Sequence, residues 1–586
     1  MFRILKRMGK REWTLFAASV ALVIAQVYMD LKIPEYMSTI TRLVKTPGST
    51  LSEIWATGAW MLGCAAGAML LTFISGFVTS MLAATFSRNL RRGIFRKVQS
   101  FSSAEIEKFS TASLITRSTN DVAQMQNFIA GGFLMIVRTP ITVGIALMKI
   151  SNTHWQWTAM TSGAVAIVLC VVAFIVTYAH PRFRRMQMLT DDLNQAMREN
   201  LTGIRVVKAY NAEEYQEKKF ADANDRLTDN HLKAQRAMSV MQPVMRFVNN
   251  GLNVGIYCVG AFLIADTIGT GNDIETFSNM VVFSTYAANI LFAFLGLNFI
   301  FMMVPRVSVC ANRINEVLDT EPSIQEGTAE NGIKGMEGTV EFRNVSFRYP
   351  GAAEDIIHNI SFIAQRGETV AFIGATGSGK STLVNLIPRF YDATSGEILV
   401  DGRNVREYQQ KVLRQKIGYA PQQAVLFTGT VTSNIDYGEC ARRGDSEENV
   451  KRAVRIAQAT DFVEKMDGDY GASIARGGTN VSGGQKQRLS IARAVFRTPE
   501  IYIFDDTFSA LDYKTDRMLR AALSEETAGT TTLIVAQRIG TIRDADKIIV
   551  MDEGRIVGSG THQELMRSCE VYREIAYTQL SEEELA

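Results

Sequence analysis

Histidine is scarce in this chain. There are five in 586 residues, His154, His180, His231, His358 and His562, and none lies between the last two. Chemistry in that interval cannot use an imidazole. Cysteine is nearly as rare. Cys64, Cys170, Cys258, Cys310, Cys440 and Cys569 are scattered without paired spacing. That argues against a disulfide framework or a thiolate metal site and leaves small, incidental thiols. Charge of one sign is missing too: the net charge of +3 is too weak to point to nucleic acid. No internal repeat is visible, so whatever the chain contains, it contains once.

What is present is divided. Residues 1–310 are crowded with apolar runs, whereas residues 320–586 read as an ordinary α/β chain, and 586 residues exceed one hydrophobic core. Six stretches are long enough to cross roughly 30 Å of hydrocarbon, at about 13–33, 54–84, 127–149, 157–178, 245–266 and 277–305. All five tryptophans, Trp13, Trp55, Trp60, Trp155 and Trp157, fall near the ends of these runs, where amphipathic rings meet a membrane interface. Lys6, Arg7, Lys10 and Arg11 precede the first run and predict a cytoplasmic N-terminus. A cleaved signal peptide fits less well, because five more runs follow and no small-residue cleavage site stands out. The segments near 85–126 and 179–244 are long and basic, with Arg88, Arg91, Arg92, Arg96 and Lys97 in one and Arg182, Arg184 and Arg185 in the other. The positive-inside rule places them in the cytoplasm, and their helical pattern predicts that the spans continue well beyond the bilayer. A multi-pass protein of the cell membrane is the expectation.

Charge inside the spans is sparse. Arg138 is the main exception, with pathway lining and structural pairing both open; Lys149, at the same helix end, is expected to snorkel. The last run carries Phe292, Phe294, Phe299, Phe301, Met302 and Met303, which suit either an adaptable apolar cavity or ordinary packing.

Beyond a polar, glycine-containing stretch, strands begin at Thr339. The strand read over 368–373 leads into Gly374-Ala375-Thr376-Gly377-Ser378-Gly379-Lys380-Ser381-Thr382 and then a helical pattern. This strand, glycine-rich loop and helix read as a phosphate cradle. Backbone N–H groups would wrap the phosphates of a nucleotide, Lys380 would reach the β/γ-phosphates, and Ser381 the Mg²⁺. Tyr349, upstream, suits stacking on the base. Gln422 offers a neutral amide oxygen to Mg²⁺ or a water, or is a plain loop residue. Val481-Ser482-Gly483-Gly484-Gln485 opens a second helix ready for phosphate, which one nucleotide cannot need in the same way. It is read as facing a nucleotide held by another copy of the domain. Ile501-Tyr502-Ile503-Phe504-Asp505-Asp506 runs four apolar residues into two carboxylates, as a buried strand ending at a metal-bound phosphate does. Ser509-Ala510-Leu511-Asp512 follows it.

These motifs, in this order, resemble the nucleotide-binding domain of an ABC transporter: Walker A, Q-loop (Gln422), signature (481–485), Walker B with Asp505, and D-loop (509–512). The membrane half is similar to the exporter class. Residues 199–210 resemble its second intracellular loop, where a short coupling helix docks into the partner's ATPase domain, and residues 113–122 resemble the first. The resemblance covers essentially the whole chain. It implies an α-helical membrane domain (1–315) of six transmembrane helices with long cytoplasmic extensions, a linker (316–338), and an α/β P-loop ATPase domain (339–586). It also implies ATP and Mg²⁺ as ligands, Ser381, Gln422 and Asp505 on the metal, and a dimer of halves sandwiching two ATPs. No dedicated peptidase or substrate-binding domain precedes the first span, which sets aside one class of peptide exporter.

Two positions depart from the family. The catalytic glutamate after Walker B is Asp506, whose carboxylate sits back by roughly one C–C bond, about 1.5 Å. A misplacement of about 1 Å can cost on the order of a hundredfold in rate. The switch histidine is Gln537, which can hydrogen-bond a phosphate oxygen but carries no charge. With Ser482, Gly483, Gly484 and Gln485 intact, the expectation is the degenerate-site subunit of a heterodimeric exporter of amphipathic compounds, lipids or peptides. Its partner would bring the glutamate and the histidine. A homodimer with two slow sites, an ATP-gated channel and an importer stay open.

Overall fold

The computed structural model describes residues 2–46, 48–151, 155–267, 273–438 and 446–579. It divides into two units, residues 1–99 with 112–320 and residues 100–111 with 321–586.

The first unit is helical throughout. Its long helices are α1 (Lys10–Lys45), α2 (Leu51–Gln99), α3 (Phe133–Ser151), α4 (Trp155–Thr202), α5 (Glu213–Ser239), α6 (Met241–Thr267) and α7 (Asp273–Asp319). Among the described residues, six helical segments are long and apolar enough to cross a membrane. The 49 residues of α2 extend about 73 Å at 1.5 Å per residue, more than twice a hydrocarbon core. The 48 residues of α4 extend nearly as far, so both helices continue past any bilayer they cross.

Small and polar residues set the close approaches. α1 and α2 run antiparallel, with Thr79 Oγ1 donating to Ser19 Oγ at 3.3 Å. A Cβ on Gly67 would come within 2.7 Å of Met29 Sδ, so a larger residue there would have to displace the Met29 side chain. Trp157 corrects the expectation of five interfacial tryptophans. It is fully buried against Phe283, ring centroids 5.6 Å apart, while Trp13, Trp55, Trp60 and Trp155 are exposed. Arg138 donates to Asp30 at 3.2 Å and remains half exposed. Lys149 does not simply snorkel: it shares Glu35 with Lys32, whose own contact is 2.6 Å. Phe292 is exposed and Phe294 packs on the core. The side chains of Phe299, Phe301 and Met302 lie outside the described ones.

The first-loop residues 113–122 pass through a π-helical turn, Arg117–Asp121. Arg117 there donates to Arg313 O at 2.9 Å and Glu316 Oε2 at 2.7 Å, and Asp121 pairs with Arg313 at 3.3 Å. This ties the loop to the end of α7.

The second unit is built on two large sheets, with a small two-stranded pairing of Gly429–Thr430 and Ser473–Ile474 beside them. The strands are β1 (Val340–Phe347), β2 (Ile357–Ala364), β3 (Thr369–Ile373), β4 (Ser395–Val400), β5 (Ile417–Ala420), β6 (Ile501–Asp505), β7 (Thr531–Val535), β8 (Lys547–Asp552) and β9 (Arg555–Gly560). β1, β2 and β4 form an antiparallel sheet completed by Arg403–Asn404. The others form a six-stranded sheet in the order β9-β8-β3-β7-β6-β5, parallel except for β9. All five residues of β6 are buried, the pattern of a central parallel strand covered on both faces. In register, Val535 of β7 pairs with Phe372 of β3 and with Asp505 of β6. Three strand ends therefore stop at one level. The polar stretch after α7 is not a free linker: Gly327 N, Ala329 N and Ile333 N donate to Tyr408 O, Glu407 O and Asp401 O at 2.8–3.2 Å. The short helix Ser103–Phe109 belongs to this unit as well, with Tyr391 OH donating to Glu107 Oε1 at 2.5 Å.

Leu533, fully buried at the centre of β7, is expected to lose about 2–5 kcal/mol on change to Ala. Tyr513→Ala, at a 76 % exposed position, should stay within about 0.5 kcal/mol. Every tryptophan lies in the other unit, so the check is amide hydrogen exchange in peptides covering β6 and β7.

Candidate functional site

The turn after β3 reverses into the helix α8 (Lys380–Leu386) through residues that only glycine accommodates well. Gly374, Gly377 and Gly379 have φ of 156°, 88° and 92°. A Cβ on Gly374 would sit 2.0 Å from Met551 O, whereas Gly377 faces open space, with nothing within 4 Å. The loop is thus packed on its protein side and bare on the other, as a phosphate cradle must be. Lys380 folds back over it, donating to Gly374 O and Ala375 O at 2.8 Å and to Ser378 Oγ at 3.3 Å. Burial pulls the Lys380 ammonium below its ordinary pKa, opposed by the nearby Asp506 and Asp505.

Ser381 Oγ donates to Asp505 Oδ1 at 2.7 Å. A hydroxyl beside a buried carboxylate is a hard oxygen set, and it fits Mg²⁺ with bound phosphate. Burial raises both the Asp505 and Asp506 carboxyls above the usual range, opposed by their hydrogen bonds and by the Lys380 ammonium. Thr382 Oγ1 lies 3.1 Å from Tyr349 OH. The Tyr349 ring is braced edge-on by Phe347 and Tyr391, with centroids 4.9 and 5.2 Å away.

Asp506 sits at the end of β6 with φ 48°, a left-handed turn that Asp takes more readily than most side chains. Its backbone N–H donates to Val535 O at 3.0 Å, and Ser509 Oγ donates to its carbonyl at 2.9 Å. Its carboxylate is claimed from two directions. Gln537 Nε2 donates to Oδ2 at 2.8 Å, and Gln422 Nε2 donates to the same oxygen at 3.3 Å. The two glutamines and the short carboxylate form one closed cluster.

Ser482 caps the helix α9 (Gly483–Phe496) with a reciprocal capping box to Gln485. Gly484 packs on the D-loop, where a Cβ would approach Ala510 O to 3.2 Å and Leu511 Cδ2 to 3.6 Å. Asp512 caps the next helix by accepting from Thr515 N at 3.0 Å. Two groups result. Residues 374–382, Gln422, Asp505, Asp506 and Gln537 share one site with Tyr349 at its edge; Ser482, Gly483, Gly484 and Gln485 stand with Ala510 and Leu511. Among the described residues, no hydrogen bond joins the signature to the phosphate loop.

Some members were not legible beforehand. Tyr419 OH donates to Asn385 Oδ1 at 2.8 Å and reaches Asp505 Oδ2 at 3.4 Å. Its place three residues before Gln422 on β5 was the available signal. Gln579 grips the switch loop from 42 residues away, donating to Gln537 O at 2.7 Å and accepting from Ile539 N at 2.9 Å. Nothing in the local pattern marks it.

Comparison with known proteins bears on the family and the fold. Residues 15–295 match the family described as ABC transporter transmembrane region, and residues 357–509 the family described as ABC transporter. An uncharacterised ABC transporter ATP-binding protein of Mycobacterium tuberculosis is 38 % identical over 570 residues, 96 % of each chain. The ATP-dependent lipid A-core flippase of Pseudomonas aeruginosa is 33 % identical over 520 residues, 88 % of this chain and 84 % of that one. The solved structure of a bacterial Atm1-family ABC exporter with ATP bound superposes with a TM-score of 0.80 at 23 % identity, covering 97 % of this chain and 99 % of the other. It has the same fold.

Gln579→Ala removes both bonds that hold the switch loop, a loss of about 1–2 kcal/mol. Amides 537–540 should then exchange roughly 5–30-fold faster, with β7 unchanged.

Proposed function

The chain belongs to the ABC transporter family, with a transmembrane region and an ATP-binding domain on one polypeptide. On that premise, we propose that it is one half of a membrane exporter, and that its own site binds ATP but turns it over slowly. The observation that carries this reading is the Asp506 cluster: the carboxylate that should polarise water is short and is held by two glutamine amides.

Each residue then has a task. The bare backbone of 374–379 and Lys380 hold the triphosphate, and the ring of Tyr349 takes the base. Ser381 and Asp505, with Gln422 turning its amide oxygen, would hold Mg²⁺. Bound Mg²⁺ shields the phosphate charge. Asp506 is the degenerate catalytic position. Both amides bond Oδ2 and draw charge from the carboxylate, which lowers its basicity toward water, and its reach is short by one methylene. Gln537 offers a neutral amide where a histidine would place a cation. Hydrolysis therefore falls to a site whose glutamate and histidine come from a second chain, to which this one contributes Ser482, Gly483, Gly484 and Gln485, together with the D-loop Ser509, Ala510, Leu511 and Asp512.

A second chain is also favoured by the surface. The short helix Ile204–Ala209 and its flanks carry Leu201, Ile204, Val206 and Tyr210 exposed. An apolar tip on a long helical arm is what a docking contact on a partner's ATP-binding domain requires. The relative named for lipid A-core flipping makes an amphipathic, lipid-like substrate the favoured class. The location is the cell membrane of a bacterium, with the ATP-binding domain in the cytoplasm.

The test is steady-state ATPase and substrate accumulation in proteoliposomes. The chain alone should show little of either, and pairing with a half-transporter that carries the glutamate and histidine should restore both. Asp506→Glu alone should stay slow, because Gln537 remains; Asp506→Glu with Gln537→His should gain about tenfold or more over the single change. Full activity of the unaltered chain by itself would end the heterodimer reading. Passive, ATP-gated ion conductance would replace export with a channel.

A further inference from the structure

Two helices of the membrane unit flank an open basic groove that the ATP site does not explain. It has a volume of about 390 Å³ and lies between α4 and α5, lined by Pro181, Arg182, Arg185, Arg226, Asp229 and Lys233 together with Leu189 and Asn230. Among the described residues, four cations face one carboxylate. That carboxylate, Asp229, is taken by Lys233 at 2.6 Å one turn along the same helix. Among the described residues, no carboxylate pairs with Arg182, Arg185 or Arg226. Arg182 donates to Tyr178 O at 2.7 Å, and Arg226 Nε to Asp222 O at 3.2 Å. Their remaining guanidinium donors are left for something else.

The level of the pocket identifies what that is. The apolar part of α4 ends near Tyr178, an amphipathic ring suited to the interface. Arg182 is one turn further on, its guanidinium stacked 3.5 Å from the centre of that ring. Asn230 Nδ2 donates to Arg182 O at 2.9 Å, which sets α5 in register with α4 at this height. Lys233 then lies toward the apolar run, and Arg226 about one turn beyond it on the other side. Pro181 supplies no N–H to the helix, so α4 lacks one of its own hydrogen bonds where the pocket opens. Arg182 thus lies about 6 Å past the apolar part of α4, within reach of the layer in which phospholipid phosphates sit, with Arg185 and Arg226 further out on the side of the membrane that carries the basic loops.

We propose that this pocket is a binding site for an anionic phospholipid of the cytoplasmic leaflet, with the headgroup phosphate held by Arg182, Arg185 and Arg226. Arginine suits the task, because its planar fork gives two parallel donors to phosphate oxygens. Basic pockets between membrane helices at this depth are where such headgroups are recognised. The inference rests on the membrane placement of α4 to α6 and not on the state of the ATP site, so it stands or falls separately from the exporter reading.

The test uses the full-length chain in phosphatidylcholine vesicles, with a trace of spin-labelled phosphatidylglycerol or spin-labelled phosphatidylcholine as probe. Electron spin resonance reads the fraction of label immobilised by protein. Phosphatidylglycerol should be preferred by roughly tenfold or more, and the preference should fall as salt is raised. The triple variant Arg182→Gln, Arg185→Gln, Arg226→Gln should lose it while still binding a fluorescent ATP analogue. Should that variant not fold, the salt titration of the unaltered chain decides alone. Equal immobilisation of the two labels, a preference indifferent to salt, or a folded triple variant that keeps it would overturn the proposal. Soluble glycerol phosphate should not displace the lipid label; displacement would assign the pocket to free phosphates instead.

Discussion

The parallel pairing of β3, β7 and β6 is the constraint on which the ATP site depends. Val535 sits between Phe372 and Asp505 in register, so the phosphate loop, the switch loop and the two carboxylates leave the sheet at one level. A slip of one residue in β6 would reverse the faces of Asp505 and Asp506. The buried, uninterrupted apolar character of β6 makes such a slip expensive, because both faces of the strand are covered. From this register follow the 2.7 Å contact between Ser381 and Asp505 and the 2.8 Å contact between Gln537 and Asp506. They differ in consequence. One leaves a hard oxygen pair suited to a metal. The other occupies the carboxylate on which hydrolysis would rely.

Much of this was legible because the chemistry of phosphate binding is local. Gly374, Gly377 and Gly379 must adopt conformations that side chains resist, and Lys380 and Ser381 must follow at fixed distance, so the loop writes itself into consecutive residues. The two departures, Asp506 and Gln537, were legible for the same reason. Their contact was not, since 31 residues separate them and only the β6–β7 pairing unites them. Gln579 and Tyr419 were hidden more deeply: each acts through one long-range hydrogen bond that no periodicity announces. In the membrane unit, hydropathy located the spans but not their rotation. Trp157 has the sequence setting of an interfacial ring and faces the core instead. Arg138 and Lys149 found Asp30 and Glu35, partners more than a hundred residues away.

The two units share a style of construction. In each, charged groups are placed where water is scarce and then matched closely, Lys32 and Lys149 on Glu35 in one and Lys416 on Asp401 and Glu500 in the other. Buried or semi-buried charges left without partners are costly. The Asp506 carboxylate differs: it is satisfied by the neutral amides of Gln537 and Gln422.

The most direct measurement is a single-turnover experiment on the purified chain without a partner. Radiolabelled ATP is bound with Mg²⁺, the excess is removed, and the bound nucleotide is followed by rapid quench. The account predicts that it stays ATP long after an ordinary transporter site would have converted it to ADP. Conversion at the rate of an ordinary site would contradict it, because the Asp506 carboxylate would then reach water despite Gln537 and Gln422.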